Sequence, residues 1–114
     1  MANIWVLYEN VAPHEEPKGP TDKKTARLIR ADVITHVDAS VGVEVVVADG
    51  TAQEPLVVAR ARGGMLLPDR FHFQLMAKLS DLRREAPDYD NDQVVVAQQV
   101  EGKWIWAQYN FKEL

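Results

Sequence analysis

Residues 93–111 read QVVVAQQVEGKWIWAQYNF, and this stretch predicts a C-terminal β-hairpin. Two runs rich in β-branched and aromatic residues flank Glu101-Gly102, and a two-residue loop that contains glycine is typical of a β-hairpin. The register of that hairpin puts one set of side chains on one face: Val94, Val96, Ile105, Ala107 and Tyr109. It puts a second set on the other face: Val95, Ala97, Gln99, Trp104, Trp106 and Gln108. Both faces are more apolar than a sheet face in contact with water.

Alternating residues predict further strands upstream of the hairpin. Over residues 29–37 the odd positions are apolar or small and most even positions are polar, which is typical of a strand with one buried face. Valines at the odd positions of 41–47 repeat the pattern after a turn, so the two runs form an antiparallel pair. Residues 56–62 form a third strand that ends at Gly63-Gly64, and the apolar run at 4–8 forms another.

The segment after Pro68 predicts the helix, because proline is well tolerated in a first helical turn. Apolar residues at helical spacing form its buried stripe: Phe71, Leu75, Leu79 and Leu82, widened by Met76. Arg83 and Arg84 suit the negative end of the helix dipole, and Pro87 ends the helix. A short strand over 71–73 is the alternative interpretation, but the stripe continues well beyond it.

These elements predict a single α+β domain over residues 1–114. About six antiparallel strands form one curved sheet, and a helix is inserted before the C-terminal hairpin, in the order ββββ-α-ββ. Pro13, Pro17, Gly19 and Pro20 lie among charged residues. They predict an exposed, Pro-rich loop at about 10–24.

Composition excludes several classes of protein. The 114 residues include 13 Lys+Arg and 17 Asp+Glu, and a net charge of −4 is too acidic for a protein that coats nucleic acid or anionic lipid. The chain has no cysteine, which excludes disulfides, zinc-thiolate sites and thiol nucleophiles. We find no secretory signal and no apolar run long enough to cross a bilayer, so we expect a cytoplasmic protein with no membrane association and no cofactor.

The predicted strands carry more apolar side chains than one helix can cover. A helix of roughly 18 residues spans about 27 Å and covers one side of a sheet. The aromatic residues that then need another cover are Trp5, Trp104 and Trp106, and we treat them as candidate interface residues. Three covers are possible: the sheet curls onto itself, a second copy packs on it, or it binds a ligand or another protein.

A possible acid–base site lies on the polar side of the predicted strands. If the register holds, His36 shares this side with Arg30, Asp32 and Glu44, and a carboxylate opposite an imidazole makes the imidazole more basic. The alternative is a set of solvated cross-strand ion pairs.

Two further clusters of charged residues suggest ion-binding sites. Asp88, Asp90 and Asp92 repeat at the spacing of the first ligands in a calcium loop, but the glycine and glutamate that such a loop requires are replaced by Gln93 and Gln99. A solvated acidic turn is the alternative interpretation. Arginines flank Gly63-Gly64 and suggest an anion-binding site: Arg60, Arg62 and Arg70. The alternative interpretation is that the two glycines only allow the chain to turn.

The sequence therefore carries three functional hypotheses. The first is a non-enzymatic cytoplasmic interaction or regulatory protein that works as a homodimer or bound to a protein partner through an aromatic sheet face. The second is a small-ligand-binding module or small enzyme that uses His36 and Glu44. The third is single-stranded nucleic-acid binding through the tryptophans and a basic run of Lys18, Lys23, Lys24, Arg27 and Arg30, which the overall charge disfavours.

Overall fold

The computed structural model describes residues 2–8, 27–40, 42–49 and 55–113. In these ranges one α-helix and seven strands follow the order expected of an α+β protein. The elements are β1 (Ile4–Tyr8), β2 (Arg27–Arg30), β3 (Ile34–Ser40), β4 (Glu44–Asp49), β5 (Leu56–Arg60), α1 (Phe71–Glu85), β6 (Gln93–Val100) and β7 (Lys103–Asn110). The α+β class and the order ββββ-α-ββ are confirmed in outline. The Pro-rich loop expected at about 10–24, and with it Lys18, Lys23 and Lys24, lies outside the described residues.

The strands form two sheets and not one. A four-stranded sheet has the order β2-β1-β6-β7, and a three-stranded antiparallel sheet has the order β3-β4-β5. The four-stranded sheet is mixed, because β1 runs parallel to β6, with Ile4 opposite Gln93. This parallel pair joins the two ends of the described chain, and local sequence periodicity carries no information about such a pairing.

The strand predicted over 29–37 is interrupted. A 3-10 turn over Ala31–Val33 ends β2 and starts β3, and the chain passes there from the four-stranded sheet to the three-stranded one. Ala31 is buried, and its carbonyl oxygen accepts a hydrogen bond from Nη2 of Arg83 at 2.8 Å. A small apolar residue such as Ala31 can occupy a buried position in a strand or a buried corner between two sheets. The alternating pattern therefore did not reveal that the strand is interrupted there.

The remaining local predictions hold well. In the β3–β4 pair, Val37 lies opposite Val47 and Ala39 opposite Val45, which confirms that odd positions share one side. The buried positions of α1 are the predicted stripe of Phe71, Leu75, Leu79 and Leu82. Met76 was expected to widen that stripe, but it is 41% exposed.

The hairpin has the predicted register. All eight residues of β6 pair with β7, from Gln93 opposite Asn110 to Val100 opposite Lys103. Glu101 and Gly102 have φ values of 50° and 76°, the left-handed conformation that a tight two-residue hairpin turn requires.

The core lies between the four-stranded sheet, the helix and the three-stranded sheet. Its buried members include Val6, Ile29, Val95 and Trp106 from the first sheet, the stripe of α1, and Val45 and Val47 from the second sheet. We call the side of the four-stranded sheet that carries Val6, Ile29, Val95 and Trp106 its inner face. No helix in the described ranges is long and apolar enough to span a bilayer.

Candidate functional site

The opposite side of the four-stranded sheet, which we call the outer face, is also apolar. The register puts Trp5 beside Val94 and Val94 beside Tyr109, and residues paired across neighbouring strands project to the same side of a sheet. The apolar members of the outer face are Leu28, Trp5, Leu7, Val94, Val96, Val100, Ile105, Ala107 and Tyr109. None of these nine belongs to the core cluster that the helix covers.

Packing and hydrogen bonds hold the side chains of the outer face in place. Val94 is fully buried, Val100 and Ile105 are 41% and 40% exposed, and the other apolar members are half-buried. The indole Nε1 of Trp5 donates a hydrogen bond to Oδ2 of Asp92 at 3.0 Å, and the Tyr109 hydroxyl donates one to Oε1 of Gln98. Because both aromatic rings are held at their polar ends, they lose little conformational freedom when a partner packs on them.

Trp106 does not lie on this face. Its ring stacks on Phe71 with a centroid distance of 4.5 Å, and its Nε1 donates a 2.8 Å hydrogen bond to the Phe71 carbonyl oxygen. It is only 7% exposed. The expectation that the hairpin presents Trp106 away from the helix is therefore wrong, because the N-terminal turn of α1 packs on that side.

Trp104 lies on the same side as Trp106, nearer the hairpin turn. It contacts Phe71 edge-on at 6.0 Å, donates from Nε1 to the Met65 carbonyl oxygen at 3.3 Å, and is half-buried. Of the three tryptophans selected from the sequence, Trp5 alone lies on the outer face.

A cavity of about 350 Å³ separates β5 from β6. It opens because the pairing of β1 with β6 ends at Val6 opposite Val95, so the continuation of β6 is not paired with β1. Its walls include Leu7, Val58, Arg60, Arg62, Val96 and Trp104.

A buried ion pair supports one wall of this cavity. Glu44 and Arg60 are paired across β4 and β5, with exposures of 2% and 9%, and Oε2 of Glu44 lies 3.2 Å from Nη2 of Arg60. Arg62 is exposed, and its carbonyl oxygen accepts a hydrogen bond from Nε2 of Gln99 at 3.1 Å across the gap. The structure therefore brings Arg60 and Arg62 to one cavity. Arg70, the third candidate for an anion site, lies at the start of α1 and is not on the cavity wall.

The candidate acid–base residues are not brought together. His36 lies opposite Ala48, whereas Glu44 lies opposite Ser40, so the two are about 13 Å apart along the strands. His36 is exposed and its Nδ1 contacts the neighbouring Thr35 hydroxyl at 2.9 Å.

The other two members of the acid–base set pair with each other. Nη2 of Arg30 lies 2.6 Å from Oδ2 of Asp32, and both side chains are largely exposed. This ion pair is solvated, as the alternative interpretation expected, but it joins residues two positions apart in the chain and does not cross between strands.

Asp92 has a structural contact of its own. Its Oδ1 accepts a 2.8 Å hydrogen bond from the backbone N–H of Asn3, and its Oδ2 accepts the one from Trp5. These two donors lower the pKa of Asp92, and they connect the start of β1 to the start of β6. Within the described part of the chain, Asp88, Asp90 and Asp92 do not form a group that could hold a metal ion, and no other three acidic or histidine side chains do.

Comparisons with known proteins identify no relative. No family model matches the chain, no curated protein matches it, and no solved structure matches it.

Proposed function

We propose that the protein is a non-enzymatic cytoplasmic interaction protein that works as a homodimer, in which a second copy packs on the outer face. The observation that carries this proposal is the apolar outer face: nine apolar residues share one side of a sheet whose helix lies on the other side. A sheet with one covered face normally places polar residues on the second face. Contiguous apolar surface of this kind marks an interaction site.

The charge distribution favours a second copy as the occupant. Among the described residues of the outer face, the charged ones are Arg30 and Lys103, which lie at diagonally opposite corners of the sheet. Arg30 is paired with Asp32. A neutral apolar centre needs no oppositely charged partner and is complementary to itself, as a two-fold symmetric interface requires.

The size of the face supports a reversible dimer. Strands β1, β2, β6 and β7 contain 5, 4, 8 and 8 residues. At about 3.3 Å per residue and about 4.8 Å between strands, they present a projected area of about 400 Å². Two such faces bury roughly 800 Å² in total, which is below the standard size and typical of weak, transient interfaces. We therefore expect a dimer that dissociates on dilution.

A pair of matched lysine substitutions tests the proposal. Ile105→Lys places a charge on the outer face, and Met76→Lys places one on the exposed side of the helix, at positions that are 40% and 41% exposed. We expect Ile105→Lys to raise the dimer dissociation constant at least tenfold in sedimentation velocity, because a lysine in an apolar interface loses its hydration. Met76→Lys should leave it unchanged.

The difference between the two variants decides whether the outer face is the interface. An equal effect of both substitutions, or a dimer that survives Ile105→Lys, contradicts the proposal. Circular dichroism checks that both variants keep the fold, which we expect because surface substitutions away from special features change stability by about 0.5 kcal/mol or less.

A further inference from the structure

A cleft of about 340 Å³ lies between the hairpin turn and the segment that precedes α1, and we propose that it binds a small organic acid with an apolar body. The side chains that line it are Met65, Leu66, Pro68, Gln74, Lys103 and Trp104. None of the nine apolar members of the outer face is among them, so this site does not depend on the proposed dimer.

Apolar groups make up most of the cleft. Leu66 is 69% exposed, and Met65 and Trp104 are half-buried. Covering apolar surface that water reaches is favourable, so an exposed leucine beside a tryptophan ring attracts an apolar ligand. The walls therefore favour an aromatic or aliphatic body over a bare, strongly hydrated anion.

Hydrogen bonds hold the walls of the cleft in place. Nε1 of Trp104 donates to the Met65 carbonyl oxygen at 3.3 Å, and this bond joins β7 to the segment before α1. The same segment is tied to the turn between β3 and β4, where the Leu67 backbone N–H donates to the Gly42 carbonyl oxygen at 2.9 Å. Because the walls are ordered before a ligand arrives, binding does not have to immobilise them.

The polar groups of the cleft set the head group of the ligand. The ammonium of Lys103 and the amide N–H groups of Gln74 are hydrogen-bond donors, and no acidic side chain of the described ranges lines the cleft. None of the ion pairs among the described residues includes Lys103, which lies at a corner of the four-stranded sheet beside the hairpin turn. A carboxylate therefore meets a cation and an amide donor in this site.

The volume sets the size of the ligand. A cleft of about 340 Å³ lies at the lower end of the range for small-molecule sites, and it suits an acid whose body is one aromatic ring. A nucleotide or a peptide of several residues is too large for it.

Titration of the unmodified protein, followed by NMR of ¹³C-labelled methionine methyl groups, tests both the ligand class and the location. Met65 lines the cleft, whereas Met76 is 41% exposed on α1, does not line the cleft and serves as the reference. The probes are 3-phenylpropanoate, its neutral counterpart 3-phenylpropanamide, and acetate, which has the charge without the body.

We expect 3-phenylpropanoate to shift the Met65 methyl signal with a dissociation constant in the millimolar range and to leave the Met76 signal in place. The amide should bind about threefold more weakly, because an exposed ion pair contributes only modestly, and acetate should cause no shift. Equal affinity for acid and amide, a shift of Met76 as large as that of Met65, or no shift at all overturns the proposal.

Substitutions in the cleft separate the head group from the body. Lys103→Gln should weaken 3-phenylpropanoate binding about threefold and leave the amide unaffected, because it removes the cation. Lys112→Gln, which removes an exposed lysine outside the cleft, should leave both affinities unchanged. Leu66→Ala should weaken the acid and the amide equally, because it removes part of the apolar wall. Equal effects of the two lysine substitutions, or unchanged binding in Leu66→Ala, refute the assignment.

Discussion

Replacing Trp106 with alanine is expected to destabilise the fold without any direct effect on the outer face. The indole is 7% exposed, stacks on Phe71 at 4.5 Å and donates a 2.8 Å hydrogen bond to the Phe71 carbonyl oxygen. Truncation of a buried tryptophan costs about 3–5 kcal/mol. The total stability of a domain of this size is of the order of 5–15 kcal/mol, so the loss is a large share of it.

Urea unfolding measures this loss. With an m-value of about 1–3 kcal/mol/M, a cost of 3–5 kcal/mol lowers the midpoint by roughly 2 M. Trp106→Phe keeps an aromatic ring against Phe71 and loses the hydrogen bond, so its cost should be about 1–2 kcal/mol. Phe73→Ala is the control, because Phe73 is 61% exposed and its truncation should cost about 0.5 kcal/mol or less. A Trp106→Ala variant that keeps its stability but loses dimerisation would refute the placement of Trp106 in the core.

Three other substitutions test features that hold the sheets together. Asp92→Asn should destabilise the protein at neutral pH in thermal unfolding, because hydrogen bonds to the carboxylate lower the pKa of Asp92. The stability that the carboxylate contributes is complete above its ordinary pKa of 3.8 and should disappear as the pH falls below that value. A stability difference that does not change with pH would argue against this role of Asp92. Glu44→Gln should cost about 3–5 kcal/mol because it leaves Arg60 buried beside a neutral group, while the double variant Glu44→Leu/Arg60→Met should recover most of that loss in urea unfolding. Gly64→Ala should cost about 1 kcal/mol although no atom lies within 4 Å of the added methyl group, since φ is +74°; a neutral result would mean that the turn relaxes.

Local patterns in the sequence predicted the local structure. Helical spacing from Phe71 to Leu82 identified the buried stripe of α1, and Glu101-Gly102 identified the hairpin and its register. Both features depend on residues close in the chain, where period and turn chemistry carry the information.

Longer-range features could not be predicted in the same way. Both faces of the hairpin are apolar, so alternation alone did not decide whether Val94 or Trp106 faces the helix. Alternation also continued through Ala31 at the corner between the sheets, and nothing local indicated that β1 pairs with β6 in parallel. These outcomes depend on which elements meet in three dimensions.

The candidate sites also include one feature that the local sequence predicted and one that depends on long-range strand pairing. Arg60 and Arg62 alternate on one short segment, so their shared location at the cavity could be anticipated. Glu44 could be placed on the same side of the sheet as His36, but its partner is Arg60, because the β4–β5 register sets Glu44 opposite that arginine.

The solution mass of the unmodified protein is the sharpest test of the proposed dimer. The dimer rests on the second apolar face of the four-stranded sheet, which the helix does not cover. Light scattering across a concentration series should show a mass that rises from that of one 12.9 kDa chain toward about twice that value, as a reversible two-fold dimer requires. A mass of one chain at every concentration up to the millimolar range would contradict the assignment of the outer face as an interface.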